Sequence, residues 1–193
     1  AVEDQDGPAP PEVIMPAIAC AAPANAALCA GLIPRFAEAD PATGMMTLKT
    51  VQARWTPRTR AVLFVDLFGQ TTDLASLSTW CREKNIILIE DIAQALGAHL
   101  PDGHAAGSSA DSSVFSFNAT KILDCGGGAL LVRRGDLAER LQRMLTGYQP
   151  PPSLPRAKLA SLAADYRHLH HSLVARKRLH PEEDISTPFL QVR

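Results

Sequence analysis

The sequence predicts an α/β fold in which a mostly parallel sheet carries helices on both faces. Residues 61–65 and 86–89 are short, wholly apolar runs, which is typical of strands that are covered on both sides. The segment between them is predicted to be helical from Asp73, a suitable N-cap, to about Lys84. A strand, a helix and a strand in this order form a β–α–β unit, whose two strands run parallel.

The segment before this unit is predicted to add two strands and a helix. Residues 13–15 form a short apolar strand, and Pro23 suits the first turn of a helix that ends at a Gly31 C-cap. A second strand covers residues 32–37, and the turn-forming sequence DPATG follows it at 40–44.

Residues 13–33 carry no charge and are long enough to cross a bilayer. However, Pro16 and Pro23 each remove a backbone donor, Asn25 adds a polar amide, and much of the rest is alanine, which drives insertion weakly. We therefore expect a short strand followed by a buried helix, and no membrane association.

The segment after the unit is predicted to complete the sheet. Residues 113–117 form a strand, and residues 129–132 form another directly after the triple glycine at 126–128. Asp136 and Glu139 resemble a capping box at the start of a last helix, which ends before Gly147.

Composition divides the chain into four parts. Residues 1–11 are acidic, rich in proline and without the pattern of a secretory signal, so a flexible segment is expected. Residues 12–148 form the core, 149–155 a proline-rich linker, and 156–193 a basic helical tail. In that tail His168 and His171 share a helix face, whereas His170 does not. We therefore expect an exposed basic face in the tail, and no metal site.

Length, charge and cysteine content limit the functional class. The 193 residues suffice for one domain with a core but not for two of ordinary size. The net charge of −1 gives no electrostatic reason to expect nucleic acid as a partner. The four cysteines include no C-x-x-C pair, so buried or neutral thiols in a reducing cytoplasm are expected.

Candidate functional residues follow two of the predicted strands. Asp91 and Gln94 come after the strand at 86–89, and Ser116 and Lys121 lie at and beyond the next one. Ligands of open α/β sheets gather where strands end at their carboxyl edge, so these side chains are expected to converge. Taken singly, they could equally be a helix cap, a surface amide, a strand-end hydroxyl and a solvated lysine.

Taken in order, these segments resemble the cofactor region of the DegT-type sugar aminotransferases. The similar segments are EDIAQALGA at 90–98, GSSADSSVFSFNATK at 107–121 and GGGA at 126–129, with VIMPAIAC at 13–20 and VDLFGQ at 65–70 upstream. The resemblance covers roughly residues 12–148. It implies part of the large domain of a fold-type-I enzyme that depends on pyridoxal phosphate.

The resemblance also implies a role for each candidate. Lys121 is expected to be the catalytic residue and to hold pyridoxal phosphate as a Schiff base. Asp91 would pair with the pyridine nitrogen, Gln94 would lie near the ring hydroxyl, and Ser116 would contact the phosphate. A carboxylate beside the ring nitrogen keeps it protonated, and a lysine amine can both attack an aldehyde and move a proton.

Several features differ from the usual family pattern. Cys20 stands where many members stack an aromatic ring on the cofactor, and Asp66 stands where a histidine is usual. The glycine- and Ser/Thr-containing turn that normally holds the phosphate is not found before Val13, and the small carboxyl-terminal domain is not recognised. We therefore expect this chain alone to bind the cofactor weakly and to show little transamination.

Three functional hypotheses follow. The first is transfer of an amino group, with glutamate as the expected donor and a keto-sugar nucleotide as acceptor, in a homodimer. The second is a truncated or degenerate family member that binds or oligomerises without catalysis. The third is one half of a split aminotransferase, in which a partner chain completes the site.

Overall fold

The computed structural model describes residues 9–118, 120–123 and 127–147, which form a sheet of six strands with helices around it. The strands are β1 (Glu12–Pro16), β2 (Ile33–Ala37), β3 (Thr59–Val65), β4 (Ile87–Asp91), β5 (Ser112–Ser116) and β6 (Gly128–Val132). Their spatial order is β2-β1-β3-β4-β5-β6, in which the first five strands are parallel and β6 is antiparallel to β5. The predicted α/β class with a mostly parallel sheet is confirmed.

Helices pack against both faces of this sheet, as expected. They are α1 (Ala21–Cys29), α2 (Leu48–Gln52), α3 (Ala75–Glu83) and α4 (Gly135–Leu145). Ala27 of α1 packs with Val13 and Met15 on one face. Ile14, which alternates with them along β1, joins the larger core under α2 and α3 on the other face. β1 is thus buried on both sides, which explains its uninterrupted apolar run.

The apolar stretch at 13–33 folds differently from the expectation in one respect. Within the described residues, no helix is long and apolar enough to cross a membrane. However, the expected burial of α1 is wrong, because only Pro23 and Ala27 are buried in it and Leu28 is 60% exposed. Gly31 does end the helix with a positive φ of 71°, but it follows the C-cap, which is Ala30.

Two predicted helix starts also need correction. The N-cap of α3 is Leu74, and Asp73 instead accepts a hydrogen bond from the backbone N–H of Ala75 at 2.8 Å. The capping box at the start of α4 is wrong, because Asp136 pairs with the side chain of Arg134 at 2.8 Å. A capping box that was not predicted from the sequence occurs at the start of α2. There the side chains of Thr47 and Thr50 each accept a hydrogen bond from the backbone N–H of the other residue.

Asp111 joins three strands at the start of β5. Its carboxylate accepts the N–H of Leu88 in β4 at 2.8 Å, and its carbonyl oxygen accepts the N–H of Arg133 after β6 at 2.9 Å. The regular β4–β5 ladder begins one residue later, with Ile89 opposite Ser112. The side chain of Asp111 therefore supplies an acceptor at the point where the backbone ladder has not yet started.

Glu12 is a charged residue buried at the first position of β1. The Thr56 hydroxyl donates to its carboxylate at 2.6 Å, Arg58 forms an ion pair with it, and Arg35 lies 3.5 Å away. Burial opposes the charge of Glu12, but the hydrogen bonds from Thr56 and Arg58 and the two arginine charges outweigh it, so its pKa is lowered. This cluster anchors the amino end of the central strands.

Replacing Glu12 with alanine is expected to lower the free energy of unfolding by about 2–4 kcal/mol at pH 7, because two arginines lose a buried partner. The carboxylate stabilises the fold above its unfolded pKa of about 4.3, and this contribution is lost as the pH falls through the lower folded value. Urea denaturation should thus give a smaller difference between wild type and Glu12→Ala at pH 3 than at pH 7.

The control for this prediction is Glu38→Ala, which removes an exposed carboxylate 3.6 Å from Arg54. This variant should change stability by less than about 0.5 kcal/mol. A loss that is equal for Glu12→Ala and Glu38→Ala would contradict the role given to Glu12.

Candidate active site

A cleft lies at the carboxyl ends of β4 and β5, where the sequence predicted that side chains would converge. Its volume is about 290 Å³. It is lined by residues from the segments that follow the two strands: Ala93, Gln94, Leu96, Ser116, Thr120, Lys121 and Ile122. Three of the four predicted site residues, namely Gln94, Ser116 and Lys121, therefore share one cleft.

Asp91, the fourth, is the last residue of β4 and is not one of the lining residues, but the charge of Lys121, which lines the cleft, acts on its carboxylate. It is half-buried, and burial raises its pKa, while a hydrogen bond from the N–H of Ala93 at 2.9 Å and the charge of Lys121 act in the opposite direction. Ile87 and Ile89 precede it on the same side of the strand and pack on the face that carries α1. A carboxylate and an amine thus act on one another at the carboxyl edge of the sheet.

Gln94 is held in place by the loop that follows β3. Its Oε1 accepts the backbone N–H of Phe68 at 3.2 Å. Phe68 has a positive φ of 57°, which is uncommon for a residue other than glycine. Since Oε1 is engaged with this loop, the amide nitrogen is the part of Gln94 suited to donate to a ligand oxygen.

Ser116 ends β5 opposite Gly128, the first residue of β6. A Cβ atom on Gly128 would overlap the carbonyl oxygen of Phe115, so only glycine fits there. The N–H of Phe117 donates to the carbonyl oxygen of Gly127 at 2.9 Å, which extends the pairing one step further. Gly127 and Gly128 therefore allow a close backbone approach to residues 115–117, directly before the segment that carries Lys121.

Gly128→Ala is expected to destabilise the fold by at least about 2 kcal/mol, because the new methyl group collides with backbone and cannot be relieved by a side-chain rotation. The β5–β6 pair should separate locally and displace Ser116. Thermal denaturation measures the first effect. Gly135→Ala is the control, since a Cβ there meets no atom within 4 Å. Equal melting temperatures for the two variants would refute the packing argument.

Two acidic residues behind the cleft were not selected as site residues from the sequence. Asp66 follows β3 and is 1% exposed, and Glu90 in β4 is 2% exposed. Glu90 accepts the N–H of Gly107 at 2.7 Å, and Gly107 adopts a φ of 84° with Ile92 close to where a Cβ would be. The signal for Asp66 was its place after an apolar strand, the same rule that pointed to Asp91.

The structure also places Cys20, another departure from the family pattern. Cys20 is exposed at the N-cap of α1 and does not line the cleft. In the described ranges no cluster of three or more His, Cys, Asp or Glu side chains could hold a metal ion. His168, His170 and His171 lie outside these ranges, as do the predicted linker and tail, so those boundaries stay predictions.

Comparison with known proteins agrees with this geometry. The chain is 34% identical over 142 residues to GDP-perosamine synthase of Caulobacter vibrioides, covering 74% of this chain and 38% of the relative. It is 34% identical over 148 residues to L-glutamine:2-deoxy-scyllo-inosose aminotransferase of Streptomyces lividus, covering 73% and 35%. The chain thus spans little more than a third of the length of these curated relatives.

Solved structures show the same fold. The chain matches DesI, determined in the presence of its TDP-sugar product, with a TM-score of 0.66 and 40% identity over 76% of this chain and 38% of that one. The model of the DegT/DnrJ/EryC1/StrS aminotransferase family matches residues 7–149, the part that holds both the sheet and the cleft. The chain belongs to this aminotransferase family.

Proposed function

We propose that this chain forms the cofactor-binding part of an aminotransferase that uses pyridoxal phosphate to aminate a keto-sugar nucleotide. The observation that supports this most directly is the cleft itself. It gathers the amine of Lys121, the hydroxyl of Ser116 and the amide of Gln94, and Lys121 interacts there with the carboxylate of Asp91. These four groups stand at the ends of two neighbouring strands of one sheet.

The set of groups fits the chemistry of pyridoxal phosphate. The amine of Lys121 suits the aldehyde, the carboxylate of Asp91 a protonated ring nitrogen, the amide of Gln94 the ring hydroxyl, and the hydroxyl of Ser116 the phosphate. When bound, the cofactor supplies an electron-withdrawing ring that stabilises negative charge on the substrate carbon. Asp91 would keep the ring nitrogen protonated, which strengthens that withdrawal.

In this proposal Lys121 both binds the cofactor and moves a proton. Its Nζ would take the proton from the amino donor in the first half of the reaction and return one to the acceptor in the second half. A single lysine suits both tasks, because its amine is a base when neutral and an acid when protonated. The charge of Lys121 acts on the carboxylate of Asp91, and Lys121 lines the cleft where both half-reactions would occur.

The proposed acceptor is a keto-sugar nucleotide and the proposed donor is glutamate. The name of the Caulobacter relative, GDP-perosamine synthase, supports the sugar nucleotide. The name of the Streptomyces relative specifies glutamine and a cyclitol ketone, so glutamine is the donor to compare with glutamate. We further propose that the enzyme works in the cytoplasm and that a second copy or another chain completes the site.

Exposed apolar side chains beside the cleft support completion of the site by further protein. Ile122 and Leu123 directly follow Lys121 and are 78% and 53% exposed, and Phe68, which bonds Gln94, is 75% exposed. Large apolar side chains that are exposed next to a site commonly mark an interaction surface. Gel filtration of the chain at increasing concentration tests this proposal, and a strictly monomeric elution would refute self-association.

The function is tested by trapping and by turnover. The chain is incubated with pyridoxal phosphate, reduced with borohydride, digested, and searched by mass spectrometry for a pyridoxyl group on Lys121. Amination of GDP- and dTDP-linked keto-sugars is then assayed with glutamate and with glutamine. Modification of Lys121 together with transfer would support the proposal. Modification that is spread over many lysines, without transfer, would favour a non-catalytic family member.

A further inference from the structure

Asp66 and Glu90 lie on one face of the sheet, beneath the strand end that carries Asp91. Glu90 is paired with Phe64 in the β3–β4 ladder, and Asp66 follows Phe64 by two residues, which places both side chains on the same side. The N–H of Asp66 donates to the carbonyl oxygen of Asp91 at 3.0 Å, so the ladder continues past β3. Two carboxyl groups are thus buried next to each other, on the opposite face from Asp91.

Most of the oxygens of this pair have no hydrogen-bond donor in the part of the chain that the structure describes. One oxygen of Glu90 accepts the N–H of Gly107, whereas the other and both oxygens of Asp66 are buried without a partner. Two carboxylates buried in this way would each lack compensation for lost hydration, and they would repel one another. A proton on one of them supplies the missing donor and removes one charge.

Within the described chain, no cation acts on Asp66. The charged groups of the described chain that act on Asp66 are Glu90 and Asp91 of β4, and both are acidic. Arg133, the cation packed against the 107–113 segment, donates to the carbonyl oxygens of Gly107 and Ala110 and to the Ser113 hydroxyl. Lys121 interacts with Asp91 on the other face.

We propose that Asp66 and Glu90 share one proton at neutral pH and form a buried acid pair, which makes the carboxyl ends of β3 and β4 sensitive to alkaline pH. Burial and the charges of Glu90 and Asp91 raise the pKa of Asp66 to about 8. Glu90 provides the neighbouring buried oxygen that accepts this proton. This property does not depend on the bound cofactor or on catalysis.

The pair has a defined effect on stability. The folded-state pKa of Asp66, about 8, lies above the value of about 3.9 for Asp in an unfolded chain, so the native state binds one more proton between these two pH values. The contribution to stability is complete below about pH 4 and decreases as the pH rises. The unfolding equilibrium constant should rise by up to about tenfold per pH unit, and this rise should level off above pH 8.

The test measures urea unfolding from pH 5 to pH 9 for the 193-residue chain without cofactor. Asp66→Asn preserves the shape of the side chain but removes its titration. The unfolding equilibrium constant of this variant should therefore change with pH much less steeply than the wild-type limit of about tenfold per pH unit. Glu90→Gln keeps the acceptor for the N–H of Gly107 but removes the negative charge beside Asp66. The pKa of Asp66 should therefore fall, and stability should stop changing at a lower pH than in the wild type. Glu83→Gln removes an exposed carboxylate of α3 and should retain the wild-type profile.

A second measurement does not require any variant to fold. Infrared spectroscopy of the wild-type chain at pH 7 should show the carbonyl stretch of a protonated carboxylic acid, and that band should disappear by pH 9. Absence of the band at pH 7, or parallel stability profiles for wild type and Asp66→Asn, would overturn the proposal. Because no cofactor is present, neither result depends on whether the chain is an aminotransferase.

Discussion

Replacing Lys121 with alanine is expected to eliminate both the borohydride-trapped pyridoxyl label and any amino transfer. The variant has no amine beside Asp91 to bind the aldehyde or to move the proton in either half-reaction. Loss of a group with both tasks should lower the turnover rate by about 10³-fold or more. The label is measured by mass spectrometry of the reduced digest, and the turnover by release of the keto acid from the donor.

Two further variants make this result specific. Lys121→Arg retains the positive charge near Asp91 but should remain inactive, because a guanidinium does not lose its proton at working pH. Lys49→Ala removes a lysine of α2 that does not line the cleft and should behave like wild type. A Lys121→Ala variant that is still labelled at one site and turns over substrate would remove Lys121 from the proposed role.

Asp91→Asn is expected to weaken pyridoxal phosphate binding by about 10- to 100-fold, because an amide cannot supply the charge-assisted hydrogen bond to a protonated ring nitrogen. Turnover should fall as well, since the ring nitrogen would no longer be held in its protonated form. Burial raises the pKa of Asp91, so in the wild type its contribution should grow as the pH rises through that raised value. Cofactor affinity and turnover of Asp91→Asn should therefore not show this rise with pH.

Asp73→Asn is a matched control for this substitution. Asp73 accepts the N–H of the residue two positions later at 2.8 Å, the same local arrangement that Asp91 forms with Ala93 at 2.9 Å. An effect that came only from this turn would therefore appear in both variants. Cofactor titration at several pH values distinguishes the cases, and equal affinity of wild type and Asp91→Asn would contradict the charge pairing.

The sequence predicted the sheet and the location of the cleft well, for physical reasons that apply to particular residues. Strand β3 is buried on both faces, and β4 is buried on one face and half-buried on the other, so their apolar runs are continuous and easy to recognise. Parallel strands end at one edge, so the position of Asp91 after one run and of Ser116 after the next was enough to bring them together. The ordered motifs then supplied the expected roles, which the geometry alone does not.

The sequence was less informative where a side chain has two local partners. Asp136 could cap α4 or pair with Arg134, and the ion pair prevails in the structure. Apart from Asn25, helix α1 consists of apolar residues, most of them alanine, so no periodic pattern indicated how little of it would be buried. The partners of Asp111 lie 22 and 23 residues away in the chain, at Arg133 and Leu88, and contacts at that separation are not visible in local patterns.

The cysteines of the described chain differ sharply in their surroundings. Cys20 and Cys29, at the two ends of α1, are exposed, whereas Cys81 is 1% exposed in the core beneath α3. Burial, with a smaller effect of the Asp111 charge, raises the pKa of the Cys81 thiol to about 12. Only thiolates react readily with alkylating reagents, so Cys81 is doubly protected while the chain is folded. Its rate of alkylation, resolved from that of the other cysteines by peptide mapping, should therefore measure how often the core opens, without any engineered substitution.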